Sequence, residues 1–189
     1  MQWTTGAEQF LSALSSSDPT PGGGAAAAMT GAMGCALVMM AIGTTLKRKN
    51  TPASVRPVLE QSLPKLGALH TQLKKYMQQD ALAYEGYLSA CKLPKDNPSR
   101  TQAVQDALWY AASVPADTAT VCQEVLKETA RTQDLIDKII VSDVNCARHL
   151  LHGALQCCAE NIRINATYIT QQARKEKLQK ILENLAGTR

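Results

Sequence analysis

The sequence predicts an all-α fold: a single-domain helical bundle around a central, buried helix rich in small residues. Three observations carry this. No stretch alternates apolar and polar residues with the period of two that a strand requires. Aromatic residues make up only 4% of the chain, with one Phe, while Ala and Leu abound, which suits close-packed helices and not a Val-, Ile- and Tyr-rich sheet. A hydrophobic content of 45% over 189 residues is enough for one sizeable core, so residues 1–189 read as one domain.

Thr5-Gly6-Ala7-Glu8 has the form of a capping box and predicts a short first helix carrying Phe10, Leu11 and Leu14. Next, Pro19-Thr20-Pro21-Gly22-Gly23-Gly24 runs straight into Ala25-Ala26-Ala27-Ala28. The 18 residues from Ala25 to Ile42 are uncharged, so a membrane span has to be weighed. Built from Ala, Gly and Met, they are only weakly lipophilic. Ala27, Gly31 and Cys35 fall four apart, a row of small side chains that lets another helix approach. The segment reads as a core helix buried on all sides. A long helix is expected from near Val55 to Leu88, bent at Pro64. Asn97-Pro98 starts another, ending near Val114-Pro115. Ala116 to Ile140 is amphipathic, with Glu124, Lys127, Glu128, Arg131 and Asp134 on a solvated face. Ser142 caps a last long helix reaching about Ile169, and a charged terminal helix spans Lys175 to Leu185.

The net charge of +4 is spread along the chain apart from Lys47-Arg48-Lys49, which does not make a nucleic-acid footprint. Six cysteines (Cys35, Cys91, Cys122, Cys146, Cys157 and Cys158) show no CxxC spacing. No basic segment leads into an apolar stretch before Thr20. They therefore read as small core residues in a reducing cytoplasm, not as disulfides or zinc ligands.

The Pro-Thr-Pro-Gly-Gly-Gly junction leaves backbone N–H groups uncovered at a helix start. It is either a tight interhelical turn or a place where an anionic or polar ligand meets backbone. At ~100° per residue, Leu66, Leu69, Leu73, Tyr76, Met77, Tyr84, Tyr87 and Cys91 share one stripe of the long helix, and Asp80 lies within it. A carboxylate there loses hydration and its pKa rises, unless a cation or donors such as Tyr76 and Tyr84 hold it. It serves either chemistry or packing specificity. In the last long helix Asp143, Asn161 and Asn165 share the apolar side with Ala147, Leu150, Ala154, Cys158 and Ile162, whereas His149 and His152 face away. Asp143 and Asn161 are ~27 Å apart along one helix, so one small reacting centre cannot meet both unless the ligand is long or a second subunit contributes.

Pro19-Thr20-Pro21-Gly22-Gly23-Gly24, Asp80-Ala81-Leu82-Ala83-Tyr84, Lys92-Leu93-Pro94-Lys95, Ser142-Asp143 and Asn161-Ile162-Arg163-Ile164-Asn165 occur in that order. Together they resemble the cyclodeaminase/cyclohydrolase family of folate enzymes, over about Phe10 to Leu185. Ala25 stands where that family often carries Ser, Ala166 to Lys175 is basic and Gln-rich where it is often acidic, and Gly43 to Lys49 follows the pattern loosely.

The resemblance implies an all-helical subunit in homodimers or larger homo-oligomers, with a folate cleft near the subunit interface. No metal and no cofactor beyond the tetrahydrofolate substrate is implied. Nucleic acid and membrane are not expected partners, and formiminotransferase activity would come from a separate protein. The implied reaction is interconversion of 5,10-methenyltetrahydrofolate and 10-formyltetrahydrofolate (cyclohydrolase). The alternatives are closure of 5-formiminotetrahydrofolate with loss of ammonia (cyclodeaminase) and a non-catalytic scaffold of the same fold. Asp80 is the expected general acid/base and Asp143 a second carboxylate or pterin-orienting group. Expected substrate-binding residues are Pro21, Gly22, Gly23 and Gly24 as a cleft wall, Tyr84 beside Asp80, Asn161 and Asn165 to orient the pterin or hold the site together, and Lys92 or Lys95 for the glutamate tail.

Overall fold

The computed structural model describes residues 2–187, leaving aside the side chains of Gln2 and Trp3; the two ends of the expected 1–189 domain lie outside the described residues. Six α-helices follow in order: α1 (Gln2–Leu14), α2 (Gly23–Lys47), α3 (Arg56–Cys91), α4 (Arg100–Thr132), α5 (Val141–Tyr168) and α6 (Gln172–Ala186). Two short 3-10 turns, Gln133–Leu135 and Lys138–Ile140, join α4 to α5, and no strand occurs among the described residues.

The core is a four-helix bundle of α2 to α5, with α6 laid over α4 and α5. Helix α2 touches α3, α4 and α5, and its glycines explain how. A Cβ on Gly31 would lie 2.7 Å from Cys122 Sγ, and one on Gly34 2.8 Å from Leu151 Cγ and 3.0 Å from the Ala147 carbonyl. Only hydrogen fits at those two crossings. The register follows. Gly24 meets Asp80, Gly31 meets Leu73, and Cys35 Sγ donates to the Leu66 carbonyl at 3.4 Å, so α3 runs antiparallel to α2. Gly23 meets Asn161, Gly34 meets Leu151, and the Asp137 amide donates to Thr45 Oγ1 at 3.1 Å, so α5 is antiparallel too.

Several elements depart from the sequence reading. Helix α1 begins at Gln2, which puts Thr5 and Glu8 inside it and not at a cap. Helix α3, by contrast, is the one long helix expected there, with Pro64 inside it and exposed, where water can serve the carbonyl left without a donor. Helix α4 does not stop at Pro115 but continues to Thr132 with Pro115 buried. A proline inside a helix leaves the carbonyl four residues back without its donor, here that of Ala111. The side chain of Asn165 on α5 fills the gap, Nδ2 donating to the Ala111 carbonyl at 3.0 Å. Helix α5 starts at Val141 with Ile140 as its cap residue, so Ser142 lies in the first turn instead.

Glu128 is not on a solvated face: it is 8% exposed. Its Oε1 accepts from Ser62 Oγ of α3 at 2.6 Å and from Arg131 at 2.9 Å, tying α3 to α4. Nor is α2 buried all round, since Met33 and Met40 are 43% and 41% exposed and Ala36 is exposed beside them. It is long and apolar enough to cross a membrane by length and composition, yet more than half of its most apolar window is buried against the other helices. Each of the six cysteines is unpaired, with Cys35, Cys122 and Cys158 in the core.

Candidate active site at the start of helix α2

Gly22 is the cap residue of α2, extended at φ −120° and ψ −157°, and it supplies no side chain to the first-turn amides. Its carbonyl accepts the Ala26 amide at 3.0 Å, which leaves the N–H groups of Gly23, Gly24 and Ala25 outside the helical ladder. Asp80 fills one of these places. Its Oδ2 accepts the Ala25 amide at 2.9 Å across a sequence separation of 55 residues. The carboxylate lies so close to the backbone that a Cβ on Gly24 would fall 1.9 Å from Oδ1 and 2.5 Å from Cγ. Glycine at position 24 is therefore a steric requirement of the Asp80 seat. Ala25 is 1% exposed and contributes its N–H, which any residue except proline supplies.

Two opposing effects set the proton affinity of Asp80. Burial raises its pKa above the usual carboxylate value, and the Ala25 hydrogen bond pulls back, with burial the larger. The result is a half-buried carboxylate more basic than an exposed one, held at the positive end of a helix dipole. Neither Tyr76 nor Tyr84 hydrogen-bonds it. Tyr84 is 36% exposed and instead packs its ring 6.5 Å from that of Tyr87, one turn further along α3. The Tyr87 hydroxyl is pushed up, first by its hydrogen bond with Cys91. Tyr87 went unnoticed in the sequence as a member of this aromatic pair; its spacing of three from Tyr84 was the available signal.

Asn161 closes the other side. Its carboxamide nitrogen lies 3.2 Å from the position a Gly23 Cβ would take, and Nδ2 donates to the Cys157 carbonyl at 2.8 Å. That orientation leaves Oδ1 as the acceptor available beside Gly23. Asn165 is one turn on, but both its N–H groups are spent, on the carbonyls of Ala111 and Asn161 at 3.0 Å each. It supports Asn161 from behind. Pro21 and Gly22 are half-buried and Gly23 is exposed, with the Thr20–Pro21 peptide cis.

The remaining expected residues lie elsewhere. Lys92 and Lys95 are exposed just past α3. Lys92 is ~18 Å along the axis from Asp80, out of reach of a reacting centre and within reach of the far end of a long ligand. Arg100 holds that end in place, donating to the carbonyls of Leu93 and Cys91 at 3.0 and 3.2 Å. Asp143 is in the first turn of α5, half-buried, at the opposite end of the bundle from Asn161. One protomer does not bring the two together.

Clefts of about 450 and 720 Å³ lie over α5 and α6, the larger lined by His149, His152, Cys157 and Arg163. Neither of these two includes Asp80; the desolvated carboxylate marks the site. No group of three His, Cys, Asp or Glu side chains among the described residues is placed to hold a metal.

Comparison with known proteins bears on the family and the fold. Residues 6–184 match the formiminotransferase-cyclodeaminase family. The chain belongs to that family. It is 35% identical over 182 residues to a methenyltetrahydrofolate cyclohydrolase of Methylorubrum extorquens, covering 94% of this chain and 87% of that protein. A formimidoyltransferase-cyclodeaminase of Sus scrofa is 30% identical over 183 residues, but this family member spans only 33% of that longer protein. Among solved structures, a formiminotetrahydrofolate cyclodeaminase of Thermotoga maritima superposes with a TM-score of 0.85 at 28% identity, covering 95% of this chain and 87% of the other.

Proposed function

We propose that this chain is a methenyltetrahydrofolate cyclohydrolase in which Asp80 is the general acid/base. The observation that carries the reading is the carboxylate seated against Gly24, hydrogen-bonded to the Ala25 amide and made more basic by burial. Opening the 5,10-methenyl ring requires water to add to the amidinium carbon while a base removes one of its protons. Asp80 takes that proton and returns it to N5 as the carbon–N5 bond breaks. The other water proton passes to solvent, which discharges the cation and leaves 10-formyltetrahydrofolate. An ionised Asp80 also stabilises the cationic substrate electrostatically.

In this reading Asn161 presents its carboxamide to the pterin, Asn165 fixes Asn161, and the Pro21–Gly24 turn walls the cleft. Tyr84 flanks it, and Lys92 or Lys95 meets the glutamate tail. Asp143 is a second carboxylate or pterin-orienting group. The enzyme works in the cytoplasm as a homodimer or larger homo-oligomer, without a metal or separate cofactor, and any formiminotransferase is another protein.

The likeness to the Thermotoga maritima structure favours a second reading, cyclodeamination. There Asp80 carries the N10 proton to the departing amine as N10 attacks the carbon of the protonated formimino group, releasing ammonia and leaving the methenyl cation. Near-UV absorbance of methenyltetrahydrofolate separates the two. Accelerated decay supports the cyclohydrolase, and appearance from 5-formiminotetrahydrofolate with ammonia supports the cyclodeaminase. No change in either direction, with no folate bound, means a scaffold. Asp80→Asn is expected to lower turnover by ~10²–10⁴-fold while folate binding persists.

A further inference from the structure

Just beyond the glycine turn the bundle loses one of its four helices. Helices α3 and α5 run antiparallel to α2, so each continues past its start. At 1.5 Å per residue, α3 extends ~16 Å from Asp80 to Cys91 and α5 ~10 Å from Asn161 to Tyr168. Helix α4 closes a third side, its Gln105 and Ala111 meeting Tyr168 and Asn165 there. The fourth corner has no bundle helix in it, and the first-turn amides of Gly23 and Gly24 lie at its floor.

Aromatic rings border that corner from two helices. Tyr84 comes one turn after Asp80, and Tyr168 two turns after Asn161, on the same sides of their helices. Both therefore turn toward the place α2 would hold, and they are 36% and 59% exposed. The Tyr87 ring lies 6.5 Å from that of Tyr84, tilted by 45°. Its hydroxyl, pushed up first by the hydrogen bond with Cys91, also feels the hydroxyls of Tyr168 and Tyr84, so the three tyrosines are neighbours. Gln105 pins the end of α5. Its Nε2 donates to the Tyr168 carbonyl at 3.1 Å, and its Oε1 accepts the Thr170 amide at 2.7 Å. Such a cluster suits a flat aryl group, which gains from edge and face contacts with several rings at once.

Three kinds of group follow in order along α3 from the glycine turn. First comes the Asp80 carboxylate, then the Tyr84 and Tyr87 rings ~6 and ~10 Å on, then Lys92 at ~18 Å. Methenyl- and formiminotetrahydrofolate carry their groups in the same order: the reacting carbon, the aryl ring on N10, the glutamate carboxylates. We propose that Tyr84, Tyr87 and Tyr168 form the subsite that stacks the p-aminobenzoyl ring of the substrate. The proposal rests on the reading of Asp80 as the catalytic carboxylate. It fixes the direction of the ligand, with the pterin on the Asn161 side of the turn and the glutamate toward the end of α3 that Arg100 holds. The subsite serves hydrolysis and deamination alike, because both substrates carry the ring.

Steady-state kinetics on a pair of substrates test it. One is methenyltetrahydrofolate; the other is its analogue with a methyl group in place of p-aminobenzoylglutamate on N10, or the 5-formimino counterparts of both. Tyr84→Ala and Tyr168→Ala, checked for folding by circular dichroism, are each expected to raise KM for the full substrate ~10-fold. The loss should fall on KM and not on kcat, and KM for the analogue should match that of the parent protein. Tyr84→Phe keeps the ring and should restore the parent KM. An unchanged KM for the full substrate in either Ala variant overturns the proposal. So does an equal rise on the analogue, which means a general disturbance of the site. An Asp80→Asn enzyme with full turnover instead overturns the catalytic reading, and the two failures are distinct because one is read in kcat and the other in KM.

Discussion

Replacing Gly24 by Ala places a methyl group where the Asp80 carboxylate sits. The new Cβ would lie 1.9 Å from Oδ1, 2.5 Å from Cγ and 2.8 Å from Oδ2, while ordinary contact begins at 3.4 Å. The carboxylate must withdraw by ~1.5 Å to restore van der Waals contact, which breaks its 2.9 Å bond with the Ala25 amide. Losing a hydrogen bond to a charged group costs ~1.5–3 kcal/mol, and overpacking adds ~1–3 kcal/mol. The better helix propensity of Ala returns at most ~1 kcal/mol. The net loss is ~1.5–6 kcal/mol, or a fall in Tm of about 3–24 °C for a domain of this size. Calorimetry reads the Tm and near-UV absorbance reads turnover, which should drop with it. Gly86→Ala, where a Cβ meets nothing within 4 Å, is the matched control and should be neutral or slightly stabilising. Gly24→Ala combined with Asp80→Ala removes the clashing atoms, so Tm should recover while turnover does not. A Gly24→Ala protein that melts within ~2 °C of the parent and keeps its rate would refute the seat.

Asp80→Asn should leave the protein as stable as the parent or more so at neutral pH. Burial raises the folded-state pKa of Asp80, so its ionised form costs stability, and that cost appears as pH rises through the raised pKa. The melting difference between variant and parent should therefore shrink on acidification, and turnover of the parent should fall as Asp80 gains its proton. Asn165→Ala strands the Ala111 carbonyl, at ~1–3 kcal/mol. In a Pro115→Ala background the helix supplies its own donor, so the two changes should couple by about 1 kcal/mol in a double-mutant cycle, and strict additivity would contradict the repair. Burial pushes the Cys35 and Cys122 thiols up to about 12 and raises Cys158 as well. Mass spectrometry after alkylation at pH 8 should find these three unmodified until the protein is unfolded.

The all-α class, the central α2 and the buried-side position of Asp80 were legible because hydrophobic periodicity and small-residue spacing are local properties. The extent of α4 was not. Proline at 115 is a strong local stop signal, and what overrides it is a side chain 50 residues away on α5. Glu128 was misread for its charge, although Val121, Val125, Glu128 and Thr132 follow the buried spacing of three and four. At the site, sequence put Asp80 and the glycines in the right company, but the Ala25 amide has no signature in a side chain. Asn161 and Asn165 looked equivalent on the helical wheel. Their hydrogen bonds give one an acceptor facing the turn and the other a place in the scaffold.

The vacancy that Pro115 leaves in α4 works as a keyway. Asn165 of α5 presents the donor to it, so sliding α5 by the turn that brings Ile169 to this level would empty the slot and strand a carbonyl against protein. A residue that ordinarily weakens a helix here indexes its neighbour, and the alignment of Asn161 with the glycine turn is inherited from a defect half the chain away.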